Sequence, residues 1–117
     1  MEALGPGDIV WIDLDPPVGH EQAGRRPALV VSAAGYNAAS TFTLLCPITS
    51  SGKAWGFKHR LAPGGPVAGW VIVDQVKSVD TAARFAKPVG RVAEDDMAAV
   101  RRLLAALLDL PDPAIAP

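Results

Sequence analysis

At 117 residues, half of them apolar, the chain has material for one compact domain and too little for two. No run approaches the roughly 20 apolar residues of a membrane span, and residues 1–6 have neither the charged start nor the apolar core of a secretion signal, so a cytoplasmic protein is expected. The net charge of −1 is unevenly spread: residues 16–93 carry nine Lys and Arg against three acids, a local net of +6, between an N-terminal segment at −4 and a C-terminal one at −3. A basic middle suits a polyanion, although scattered surface Lys and Arg give the same count.

In chain order, short β-like runs are punctuated by Gly and Pro. Ile9–Leu14 is the first predicted strand, opened by Gly7 and closed by Asp15-Pro16-Pro17. Ala28–Ser32 is the second, apolar enough to be covered on both faces, with Pro27 expected at its first position because it has no N–H for a ladder. Phe42–Ile48 is the third. Pro47 implies an edge, a bulge or an early end there, so that Thr49-Ser50-Ser51-Gly52 leaves the sheet. Its Cys46 is the chain's single cysteine, which excludes an internal disulfide and reads as a small buried hydrophobe. Phe57–Leu61, Gly69–Val73 and the region 77–92 are weaker candidates. Trp11 and Trp70 fall within apolar strands and are expected in the core or at a dimer seam.

Met97, Val100, Leu104, Leu107 and Leu108 recur at three- and four-residue spacing, which predicts a helix with that stripe buried. Glu94, Asp95 and Asp96 occupy its first turn, where carboxylates favour the helix dipole; Pro111 ends it, and 111–117 reads as a frayed tail. The expected fold is mainly β: a single domain built as a small antiparallel barrel with a C-terminal helix.

Three loops carry polar groups that a β core does not need. The first, Gly19 to Pro27, is long for a hairpin. In it Arg26 precedes a proline, which biases it to extended geometry and fits its guanidinium to grip a phosphate with two parallel hydrogen bonds. The second, Thr49-Ser50-Ser51-Gly52-Lys53, offers hydroxyls, an ammonium and backbone N–H groups to an anion. The third, Asp74-Gln75-Val76-Lys77-Ser78, places acid, amide, ammonium and hydroxyl at the end of a strand. Each taken singly is also ordinary turn chemistry.

In this order the segments resemble the MazF/PemK toxin family. Gly7 to Pro16 is similar to its opening strand, Gly19 to Ser32 to its Glu-Gln-Ala-Gly-x-Arg-Pro-Ala-x-Val-x-Ser segment, Cys46 to Ser50 to its Pro-x-Thr turn, and Asp74 to Ser78 to its Asp-Gln-Val-x-Ser stretch. The resemblance implies an SH3-like antiparallel barrel with short helices, a homodimer, sequence-specific cleavage of single-stranded mRNA, and neutralisation by a cognate MazE-like antitoxin. It implies attack by the ribose 2′-hydroxyl on the adjacent phosphorus, leaving a cyclic phosphate and a 5′-hydroxyl, with no metal or other cofactor. Carried over by motif, the functional arginine falls on Arg26 and the functional threonine on Thr49.

That chemistry suits both residues, since donors aimed at the non-bridging oxygens stabilise the charge that builds there. Glu21 is the candidate base for the 2′-hydroxyl proton and His20 a second, against the reading that Glu21 only pairs with Arg25 or Arg26. The expected RNA-binding set is His20, Gln22, Arg25, Ser50, Ser51, Lys53, Trp55, Asp74, Gln75, Lys77 and Ser78. Trp55 fits base stacking and capping of the barrel equally. His20, Cys46 and His59 lack the spacing of metal ligands, so no metal site is expected. Two rival functions remain open at this point: a non-catalytic toxin of the same fold that binds DNA gyrase, and an RNA-binding module that does not cut.

Overall fold

Period-two alternation of apolar residues, with both phases occupied, sets the architecture. In β1 (Asp8–Leu14) the consecutive Ile9 and Val10 are both fully buried, so the strand must be covered on both faces. The computed structural model describes residues 3–14 and 24–113. Seven strands form one antiparallel sheet: β1, β2 (Gly24–Val30), β3 (Phe42–Thr49), β4 (Lys58–Arg60), β5 (Trp70–Ile72), β6 (Lys77–Asp80) and β7 (Lys87–Arg91). The spatial order is β4-β5-β3-β2-β1-β7, with β6 also paired to β3.

One core gathers Ile9, Leu29, Cys46, Ile48, Val71 and Val73 against Met97 and Val100 of α2 (Glu94–Leu107). The opposite face buries Val10, Ile12, Leu14, Ala28, Val30, Leu45 and Val79. A short helix, α1 (Ala34–Ala39), buries none of its residues. It is held by the Asn37 amide, which donates to the carbonyls of Leu4 (2.7 Å) and Ser32 (3.0 Å).

Several expectations need correction. Among the described residues the sheet does not close into a barrel: β4 and β7 are its ends. β4 is only three residues long, and β7 carries Pro88 and a register shift against β1, so neither end offers a ladder to the other. β2 starts at Gly24, not Ala28, and Pro27 lies inside it opposite Trp11. The strand tolerates this because residues 24–27 pair with β1 alone, and the β3 side is an edge there.

β3 also runs straight through Pro47 to Thr49. Its second partner is one strand broken in two. β5 pairs with residues 48–49 and β6 with 42–45, so Cys46 and Pro47 face five residues, Ile72 to Val76, three of which form a 3-10 turn, Val73–Gln75. The partner bulges away where proline has no N–H to offer.

Trp11 is not in the core: it is 38% exposed, because the cluster on its face packs Ile9 under α2 and does not extend to it. Leu107 and Leu108 are exposed as well, since the buried positions of α2 end at Ala105 and its last turn overhangs the sheet. The region 77–92 is two strands joined by a turn at residues 81–85. No helix among the described residues is long and apolar enough to cross a membrane.

Candidate nucleic-acid interface

The parting of β2 from β3 builds the site. Their ladder holds at Val30↔Leu45, Leu29↔Cys46 and Ala28↔Pro47 and then stops. The next residue of β2 is Pro27, which cannot donate. Beyond it the two strands part, so residues 25–27 of β2 and 48–50 of β3 form the opposite lips of one wedge; Thr49 is buried within the second lip and pairs with Trp70 of β5, while its neighbours Ile48 and Ser50 line the cleft. A cleft of about 400 Å³ fills it, lined by Arg25, Arg26 and Pro27 on one side, Ile48 and Ser50 on the other, with Trp11, Val67 and Ala68 around them.

Each lip has a local cause. β1 holds the Arg lip in register, Ile12 opposite Arg26 and Asp13 opposite Arg25. Arg25 donates to Asp13 (3.1 Å) and to the Phe85 carbonyl (3.2 Å), an exposed pair worth at most about 1 kcal/mol but enough to aim the side chain. Thr49 is buried, and its hydroxyl oxygen accepts the Ser51 N–H at 3.3 Å, which leaves the hydroxyl proton to donate elsewhere.

Gly69 fixes the Thr lip. At φ +130° it lies so close that a Cβ there would stand 2.2 Å from the Thr49 carbonyl oxygen. Ser50, Ser51 and Lys53 are exposed beyond it. Trp55 is 54% exposed, its ring tilted 5.4 Å from that of Phe57.

The remaining predicted residues fall elsewhere. Lys77 and Ser78 pair with Leu45 and Leu44, four and five residues up β3 from Thr49, or about 13–17 Å. Ser78 lines a separate cleft of about 450 Å³ with Asp80, Phe42 and Phe85. Asp74 is exposed on the 3-10 turn and Gln75 half-buried beside it. Burial, reinforced by the charge of Asp74, pushes the Cys46 thiol up to about 12, so it stays protonated and unreactive. Glu21, His20 and Gln22 lie outside the described residues.

Sequence reasoning missed two groups. Lys58, whose ammonium donates to the Lys53 carbonyl at 3.4 Å, packs over the 52–53 backbone. Asp96, read as a dipole carboxylate, is buried: it contacts His59 Nε2 at 2.7 Å and accepts the Ala62 N–H at 3.3 Å, tying α2 to the sheet edge. Alternation in Lys58-His59-Arg60, with one face inward, is the signal that points to both.

Residues 5–108 match a family model described as PemK-like, MazF-like toxin of type II toxin–antitoxin system. The chain belongs to this family. Among relatives of this MazF-like chain, the endoribonuclease toxin MazF of Escherichia coli K12 is 37% identical over 102 residues, spanning 87% of this chain and 91% of that protein. A crystal structure of MazF from Deinococcus radiodurans superposes with a TM-score of 0.86 at 38% identity, over 92% of this chain and 98% of that one. A MazE–MazF crystal structure from the same organism superposes at 0.80, again at 38% identity, over 92% and 96%. The open seven-stranded sheet with its C-terminal helix is therefore the MazF-like fold.

Proposed function

We propose that this MazF-like chain is a toxin endoribonuclease that cuts single-stranded mRNA at a short recognition sequence, without a metal, and is held in check by a MazE-like antitoxin. What supports the reading is the wedge between β2 and β3, lined by Arg25, Arg26 and Ser50, with Thr49 the residue before Ser50 on β3.

In the reaction the 2′-oxygen attacks the adjacent phosphorus and the P–O5′ bond breaks, giving a 2′,3′-cyclic phosphate and a 5′-hydroxyl. One proton leaves the 2′-hydroxyl and one reaches the departing O5′. Arg26 and the Thr49 hydroxyl serve as donors to the non-bridging oxygens, where negative charge grows; one such donor contributes roughly 3 kcal/mol to the transition state. Glu21 is the proposed base for the 2′-hydroxyl, with His20 the alternative. Arg25, Ser50, Ser51, Lys53 and Trp55 surround the wedge or its loop and hold the strand, whereas Gln22 joins them on the family motif alone.

Asp74, Gln75, Lys77 and Ser78 sit apart within one chain. A homodimer, which the family resemblance implies and which the exposed Trp11, Leu108 and Leu110 suit, is the proposed working form; light scattering at micromolar concentration tests it.

The deciding experiment incubates the protein with long single-stranded RNA in EDTA, beside an Arg26→Ala variant, and maps cuts by primer extension. Discrete cuts at one repeated sequence, lost in the variant while RNA affinity falls only modestly, are expected. Intact RNA from folded, antitoxin-free protein would refute the nuclease reading.

A further inference from the structure

Thr49 heads a row of side chains that crosses the sheet. It pairs with Trp70 of β5, and Trp70 pairs with Arg60 of β4, so the three stand on one face, with Arg60 about 10 Å from Thr49 across two strand spacings. The alternate residue, His59, points the other way to Asp96 of α2, which leaves Lys58 and Arg60 together on the Thr49 face.

The Arg60 guanidinium carbon lies 5.4 Å from the Trp70 ring centroid. Stacked on an indole, a guanidinium is held in orientation while its in-plane N–H groups stay available to an anion. Lys58 presses its ammonium over Gly52 and Lys53, where a Cβ on Gly52 would come within 2.7 Å. Among the described residues neither cation has a carboxylate partner. Trp55, whose carbonyl accepts the Lys58 N–H at 3.0 Å, exposes more than half of its surface. Unpaired cations next to open aromatic faces make a track for single-stranded nucleic acid.

We propose that this face of β4 is a second RNA subsite: Arg60 and Lys58 bind a phosphate flanking the scissile one, and Trp55 stacks on the adjoining base. Arg60 thereby sets how tightly and in which register the strand lies across Thr49, and takes no part in the chemistry. The proposal rests on the RNA reading above, and charge complementarity favours RNA over a protein partner.

The test uses a single-site oligoribonucleotide for cleavage and its 2′-deoxy analogue at the cut for binding, with Arg60→Ala, Arg60→Lys and, as an equal loss of charge on α2, Arg102→Ala. For Arg60→Ala we expect KM and the analogue's Kd to rise about tenfold with kcat within about twofold, and the salt slope of binding to become shallower by up to about 0.7. Arg60→Lys should keep the slope and recover part of the affinity, and Arg102→Ala should match wild type. Unchanged Kd and slope in Arg60→Ala overturn the subsite, including the case in which that variant instead loses affinity for a polyglutamate peptide. Wild-type protein that binds the analogue with this Arg60 dependence but leaves RNA uncut would sink the nuclease reading and keep the subsite.

Discussion

At the scale of single residues, Thr49 and Cys46 show how burial gives opposite outcomes to neighbouring polar groups. Thr49 keeps a satisfied oxygen and a proton to give. Thr49→Val preserves its shape and removes that donor, so kcat should fall about 10²- to 10³-fold with KM little changed in steady-state cleavage assays. Cys46 is sealed in. Its folded pKa lies above the unfolded value of 9.0, so the unfolded chain binds fewer protons between there and about 12. Its contribution to stability is therefore complete below pH 9 and lost as pH rises through that window. Urea midpoints followed from pH 8 to 11 should show wild type losing up to about 1.4 kcal/mol per pH unit more than Cys46→Ala, a difference absent below pH 8.

Among the elements, two junctions hold the Thr lip and the far edge. The β3–β5 junction depends on the close approach of Gly69 to the Thr49 carbonyl, with backbone on both sides and no flexible atom to yield. Gly69→Ala should cost about 1–3 kcal/mol in urea unfolding and lower kcat alongside, because the contact that yields is at Thr49 itself. The α2–β4 junction depends on Asp96. Asp96→Ala strands His59 and the Ala62 N–H and should destabilise by about 1–3 kcal/mol, read as a lower thermal midpoint, with Asp96→Asn recovering part of it.

For the whole molecule, net charge and local field disagree, and RNA feels the field. A net charge of −1 predicts no salt dependence of RNA binding. Residues 16–93, locally at +6, predict a strong one. With Arg26 on the scissile phosphate and Lys58 and Arg60 sharing the flanking one, the log–log slope of affinity against salt should be about −1.4 for a single strand. A slope near zero, measured by fluorescence anisotropy between 50 and 300 mM salt, contradicts that.

The sequence by itself determined what local chemistry determines. Apolar runs bounded by Gly and Pro placed β1 and β3, the three- and four-residue stripe placed α2, and the order of motifs around Arg26, Thr49 and Asp74 carried the family. The tertiary structure decided whatever depends on which strand lies beside which. Along the chain Pro27 reads as the first position of a strand and Pro47 as an edge, a bulge or an early end, yet both sit inside strands, because each faces a side where no ladder forms. Leu108 looked like a core residue, yet is exposed, and Trp11, expected in the core or at a dimer seam, is not in the core, since α2 covers only part of one face. Asp96 looked like a surface carboxylate, yet is buried by a histidine 37 residues away. Arg60 joined Thr49 only through the register of three strands. A pattern along the chain records a residue's own preference; which neighbour satisfies it is a property of the packed sheet.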